Sequence, residues 1–129
     1  MTSKRYENGM KVRRQVLGDA YVDRSVAKRN AFNTDFQEYV TELVWGSIWT
    51  RPGLDLKTRS CIVLSLMVAL GHWSEFRLHV KAAFNNGLTK DDMVAYGNKR
   101  AATAGFEELS RLVGEATNLG AAQRNPEMR

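Results

Sequence analysis

Phe36, Tyr39, Val40, Leu43 and Val44 fall at i, i+3, i+4, i+7 and i+8. That spacing lines one side of a helix, whereas a strand changes side at every residue. No convincing alternation of apolar and polar residues occurs anywhere in the 129-residue chain. The expected fold class is therefore all-α, in a single domain over residues 1–129, since the length fits one domain and neither a repeat nor a linker interrupts it.

Helix punctuation divides the chain further. Tyr6, Met10 and Leu17 share a face that Gly18 ends. Asp23 is expected to cap a short helix reaching about Asn30, and Thr34 with Gln37 has the form of a capping box. Gly46 suits a helix stop. Arg51-Pro52-Gly53-Leu54 reads as a type II turn, with proline presetting φ and glycine supplying a positive φ. Asp55 can cap a helix over about Leu56 to Leu70, and Gly71 breaks it. From Cys61 to Leu70 only Ser65 interrupts the apolar run. Such a helix belongs at the centre of a fold or at a subunit interface, and it is too short to cross a bilayer. Ser74 can cap a helix through Asn85, closed by Asn86-Gly87, and Thr89 opens another with Asp91 and Asp92 in its first turn. Beyond Val94 the stripe degrades. Phe106, Leu109, Leu112, Val113 and Ala116 allow one more helix, and the residues from 120 onward are expected to be disordered.

The net charge of +5 raises nucleic acid as a partner. Its distribution argues against one. Residues 1–60 hold 11 basic and 7 acidic groups, and residues 61–129 hold 8 and 7. The excess gathers in Lys4, Arg5, Lys11, Arg13 and Arg14, without interleaved aromatics, and reads as a solvated helix face. No nucleic-acid or membrane partner is expected. The N-terminal residues lack the apolar core of a signal peptide, and a lone cysteine, Cys61, fits a reducing cytoplasm.

Chemistry concentrates in two places. Val44 to Leu54, VWGSIWTRPGL, packs Trp45, Trp49 and Arg51 beside a fixed turn. An arginine so placed can grip a carboxylate through two hydrogen bonds, and the indoles can wall a pocket or simply pack. Arg59, leading into an apolar helix, needs a partner, either structural or substrate. In the second place, Glu75 and His79 stand four apart on a predicted helix and meet on one face. A carboxylate there can fix the imidazole tautomer and raise its pKa. His72 extends the spacing to something like a metal site, but it follows a helix break and no further ligand cluster supports it. No metal is expected. Cys61 reads as a small core residue.

Three blocks taken together are similar to one family. They are GMKVRRQVLGDAYVDRS, then FNTDFQEYVTELVWGSIWTRPGLDLKTRS, then EFRLHVKAAFNNGLTKDDM. In order and spacing they resemble the carboxymuconolactone decarboxylases of the alkyl-hydroperoxidase-D-like superfamily. The resemblance implies a helical subunit in a homo-oligomer, a trimer or hexamer, and a place in protocatechuate breakdown by the β-ketoadipate route. It implies decarboxylation of a dicarboxylate lactone to an enol-lactone without a cofactor, because the conjugated lactone carbonyl receives the electrons that departing CO2 leaves. His79 and Glu75 are then catalytic, and Arg51, Trp45, Trp49 and Arg59 bind substrate. Peroxidase-type relatives carry a Cys-x-x-Cys where this chain has His72 and Glu75, so disulfide redox chemistry is closed to it.

The chain leaves the family pattern after about Met93. Where a Tyr-Cys-Gly-Val-like segment is usual, it has VAYGNKRAATAGFEEL. That change would impair turnover or assembly, and it makes a non-catalytic helical oligomer the alternative reading. Codons for Ala102 to Phe106, read from each third base, can spell Tyr-Cys-Gly-Val, which points to a frame shift between about Met93 and Asn98. The gene's nucleotide sequence tests this: the shifted frame should continue the family pattern, and a shifted frame without it ends the idea.

Overall fold

The computed structural model describes residues 3–92 and Gly114. The expected helix beyond Phe106 and the disordered tail lie outside the described residues. The chain divides into two compact units, Met1–Arg59 and Ser60–Arg129. The described residues form helices and turns and include no strand.

In the first unit, α1 spans Lys4–Leu17, α2 Asp19–Ala27 and α3 Thr34–Val40, and a π-helix over Thr41–Ile48 continues α3. Ser3 caps α1, its Oγ accepting from the Tyr6 amide at 3.1 Å and donating to Glu42. Gly18, at φ +85°, ends α1 as expected and also precedes α2 directly. Asp23 therefore lies inside α2 rather than capping it. It pairs instead with Arg14 at 2.8 Å, and Asp19 pairs with the same guanidinium at 3.0 Å.

The fully buried side of α1 is Gly9, Arg13 and Val16, while Tyr6, Met10 and Leu17 are half-buried. The physical reason is a close helix crossing. A Cβ on Gly9 would lie 2.2 Å from the Thr41 carbonyl oxygen, and a Cβ on Gly46 would lie 2.3 Å from the Arg5 carbonyl oxygen. Gly46 is thus a contact residue inside the π-helix and does not stop it. The wider i→i+5 bonding persists to Trp49, whose amide donates to the Val44 carbonyl at 2.9 Å. Hydroxyls support the loosened turns: Thr41, Ser47 and Thr50 donate to the carbonyls of Gln37, Glu42 and Gly46.

The capping box at Thr34 does not form. The Thr34 hydroxyl donates back to the Asn30 carbonyl at 2.8 Å, and Asn30 Oδ1 accepts from the amides of Phe32 and Asn33, so an asparagine turn leads into α3. Gln37 is left to bond Arg13. The apolar stripe that defines this helix in the sequence is largely exposed, with Phe36 at 63% and Tyr39 at 61%. Thr41, Trp45 and Trp49 are the buried positions instead.

Charge distribution places Arg13 on a solvated face, and the structure corrects this: it is buried. Its Nη1 donates to Thr41 Oγ1 at 3.3 Å, and its Nη2 donates to Ser25 Oγ at 3.0 Å and Gln37 Oε1 at 3.2 Å. All three partners are neutral. Arg29 lies in the same unit, bonded to the Tyr6 hydroxyl at 2.9 Å and 5.9 Å from that ring's centre.

Helix α4, Leu56–Leu70, and α5, Trp73–Asn85, have nearly their expected bounds. Asp55 caps α4 by accepting from the Thr58 amide at 2.7 Å. Gly53, Gly71 and Gly87 take φ of +104°, +70° and +93°, at the three breaks assigned to them. α5 starts at Trp73 with His72 as its cap residue, so Ser74 lies in the first turn and is not the cap. In the second unit Leu64, Phe76, Val80, Ala83 and Leu88 form the core, and Cys61 packs against it. Each large member contributes about 1.5–3 kcal/mol by leaving water. Only Ser60 and Leu64 of α4 are buried, while Ile62, Leu66 and Leu70 are exposed. Thr89 and Asp92 exchange side chain-to-amide bonds at 2.9 and 3.1 Å, starting the next helix where expected.

Gly9→Ala should destabilise the protein by about 1–3 kcal/mol through overpacking, although alanine is the better helix former by about 1 kcal/mol. Urea unfolding measures this, and a variant as stable as the parent would refute the close crossing.

Candidate active site

The residues singled out for chemistry fall into two sets. Trp45, Trp49, Arg51 and Arg59 belong to the first unit, and Glu75 and His79 to the second.

Trp45 and Trp49 lie one turn apart at the end of the π-helix. Their rings stack with centres 5.1 Å apart and planes inclined by 29°. Both are buried, at 5% and 7% exposure. The stack fixes the end of the helix from which the turn at Pro52-Gly53 departs. Arg51 opens that turn and is exposed. Its guanidinium takes no hydrogen-bond or ion-pair partner among the described residues, so it can meet an anion from solvent. Arg59 has backbone partners. Its Nε donates to the Leu54 carbonyl at 3.2 Å and its Nη2 to the Arg51 carbonyl. One cation thus holds both ends of the turn that carries the other, which is the structural partner among the two possibilities for Arg59.

On α5, Glu75 occupies the first turn, where the helix dipole favours a carboxylate. Its own backbone amide and then the Ser74 hydroxyl, at 3.0 Å, hold its pKa below the usual range. His79 follows one turn later, next to the buried Val80 and three residues from the buried Phe76. Burial pushes its pKa down, and the Glu75 charge raises it by less. The net direction is therefore opposite to the one expected from the pair alone. The imidazole is neutral at pH 7 beside an ionised carboxylate.

A sequence model of the Carboxymuconolactone decarboxylase family matches residues 34–118. The chain belongs to this family. The matched span includes every candidate residue from Trp45 to His79 and continues past Met93. The chain is 46% identical over 90 residues to the 4-carboxymuconolactone decarboxylase of Acinetobacter baylyi, covering 70% of this chain and 67% of that protein. It is 42% identical over 85 residues to a nitrosuccinic acid decarboxylase of Metarhizium robertsii, covering 66% of this chain and 59% of the relative. A 4-carboxymuconolactone decarboxylase of Pseudomonas putida is 56% identical over 43 residues, 33% of this chain and 90% of that one. No helix among the described residues is long and apolar enough to cross a membrane.

One group of polar residues is not evident in the sequence. Arg13 and its partners Thr41, Ser25 and Gln37 form a buried network in the first unit. Its signal is the run Gly9, Arg13 and Val16 at i, i+4 and i+7, opposite Gln37 and Thr41 four apart. A charged residue in an otherwise small and apolar row reads as surface until the crossing of the helices is known.

The depressed His79 pKa sets a stability trend. The unfolded chain takes up the histidine proton near pH 6.5 while the folded state resists it, so the His79 contribution is present above that pH and is lost as pH falls through the lower folded value. Thermal unfolding between pH 8 and 5 should show a falling Tm that His79→Gln flattens. An equal fall in both proteins would contradict the buried neutral imidazole.

Proposed function

We propose that this chain is a carboxy-lyase that converts 4-carboxymuconolactone to an enol-lactone and CO2 without a cofactor. The family match across all the candidate residues carries this reading. The names of the relatives add chemical support. Carboxymuconolactone and nitrosuccinic acid each carry two carboxylates and a group able to accept an electron pair, the conjugated lactone carbonyl or the nitro group. The protein then has three tasks: to hold the carboxylates, to stabilise charge that develops on oxygen, and to manage one proton. The relatives do not favour the alternative of a scaffold without turnover.

Arg51 grips one carboxylate, and its exposed guanidinium supports that role. Arg59 and the Trp45–Trp49 stack keep the Arg51 turn in place, and the indoles exclude water beside it. His79, neutral at pH 7, donates an N–H to the dienolate oxygen as negative charge builds there. Glu75, ionised, orients the imidazole, which keeps its proton, and the proton that takes the place of CO2 on carbon comes from water. The working assembly is a homo-oligomer, a trimer or hexamer. Exposed apolar residues support this, with Phe36, Tyr39 and Leu43 on one segment and Ile62, Leu66 and Leu70 on α4. The setting is the cytoplasm and the breakdown of protocatechuate.

Purified protein given 4-carboxymuconolactone should release CO2. His79→Gln should lower kcat by about 100-fold or more, as loss of an oxyanion or proton partner does. Arg51→Gln should act mainly on KM, by about tenfold. Near-normal turnover by the His79 variant would end its assignment.

A further inference from the structure

The first unit contains a cavity of about 300 Å³ lined by Tyr21, Arg24, Ser25, Lys28, Asn33 and Gln37. That volume is at the lower end of those that hold small organic ligands. The lining has two cations, four neutral hydrogen-bonding side chains and no carboxylate. Arg24 and Lys28 are exposed, one turn apart on α2 and just past its end, and neither forms an ion pair with a described residue.

A second positive centre stands behind the lining. Arg13 is 5% exposed and donates to Ser25 and Gln37, both of which face the cavity. Its Nε is buried and has no hydrogen-bond partner among the described residues. Burial works most against this cation and the Arg29 charge adds to it, while Tyr21 and Tyr6 act the other way; no carboxylate acts to favour it. A buried charge that only neutral groups solvate gains from an anion brought close. The Arg13 bonds also decide what the lining can offer. Ser25 Oγ and Gln37 Oε1 each accept from the guanidinium, and the serine O–H and the glutamine NH2 remain as donors for a ligand. The cavity thus offers donors at its inner wall and cations at its rim.

We infer that this cavity binds a small organic dicarboxylate. One carboxylate accepts from Ser25 and Gln37 in front of Arg13, and the other pairs with Arg24 and Lys28. Two separate positive centres favour a two-ended anion over a compact one such as phosphate. The site uses none of the residues assigned to decarboxylation, and it stands independently of that assignment.

Isothermal titration of the intact protein with succinate, acetate and inorganic phosphate tests the site. Succinate should bind more tightly than either of the others. The double substitution Arg24→Gln/Lys28→Gln, at exposed positions, should weaken succinate by about tenfold or more. Absence of succinate binding, equal affinity for phosphate, or full affinity in the double variant would each overturn the inference.

Discussion

The approach of α1 to the π-helix governs the first unit. Gly9 and Gly46 let the two backbones come closer than any side chain would allow, and that distance sets the surroundings of both helices. With the chains so near, Arg13 on α1 lies within reach of Thr41 and Gln37 and becomes a core residue. The same contact fixes the register of the π-helix, and hence the positions of Trp45 and Trp49. A wider crossing would leave Arg13 in water and the indoles without a fixed base. Close packing between glycines therefore organises polar and aromatic groups that lie up to a turn away.

The residues proposed for catalysis show two kinds of order, one in each unit. The Arg51 turn is held from several sides, by the indole stack before it, by proline and glycine within it, and by the Arg59 guanidinium across it. Such a turn loses little freedom when it meets an anion, which is the condition under which an exposed arginine binds well. The α5 pair is tuned by environment. Glu75 keeps its charge at a helix start, whereas His79 gives its charge up to burial. A carboxylate and an imidazole one turn apart thus remain in different protonation regimes, which is how one short segment can supply both a fixed charge and a neutral donor.

Much of the fold is legible in the sequence because helix ends have local causes. Gly18, Gly53, Gly71 and Gly87 do what their backbone freedom permits, and Asp55 caps where a cap is expected. The residues proposed for the site come from spacing and the family pattern. Which side of each helix turns inward is not legible. Tyr6, Met10 and Leu17 look like a buried face because they are large and apolar, yet the contact with the π-helix selects the face with the glycine. Phe36 and Tyr39 belong to the clearest stripe and remain largely exposed. Thr34 and Gln37 match a cap pattern, but Asn30 and Arg13 compete for the same groups and win. In each case a tertiary contact overrides a local preference. The His79 pKa shows the same limit, since the effect of Glu75 is visible in the spacing while burial is not.

The π-helix from Thr41 to Ile48 has a consequence for the changes this segment tolerates. A π-turn contains one residue more than the α-turn it replaces, so a deletion of a single residue there could restore ordinary helix geometry at little local cost. Each turn still closes one revolution, so the segments on either side would keep nearly the same direction. The same loss inside α1 or α4 would turn everything beyond it by about 100°. The π-helix is thus the place where this chain can lose a residue and still aim the indoles and the arginine turn as before.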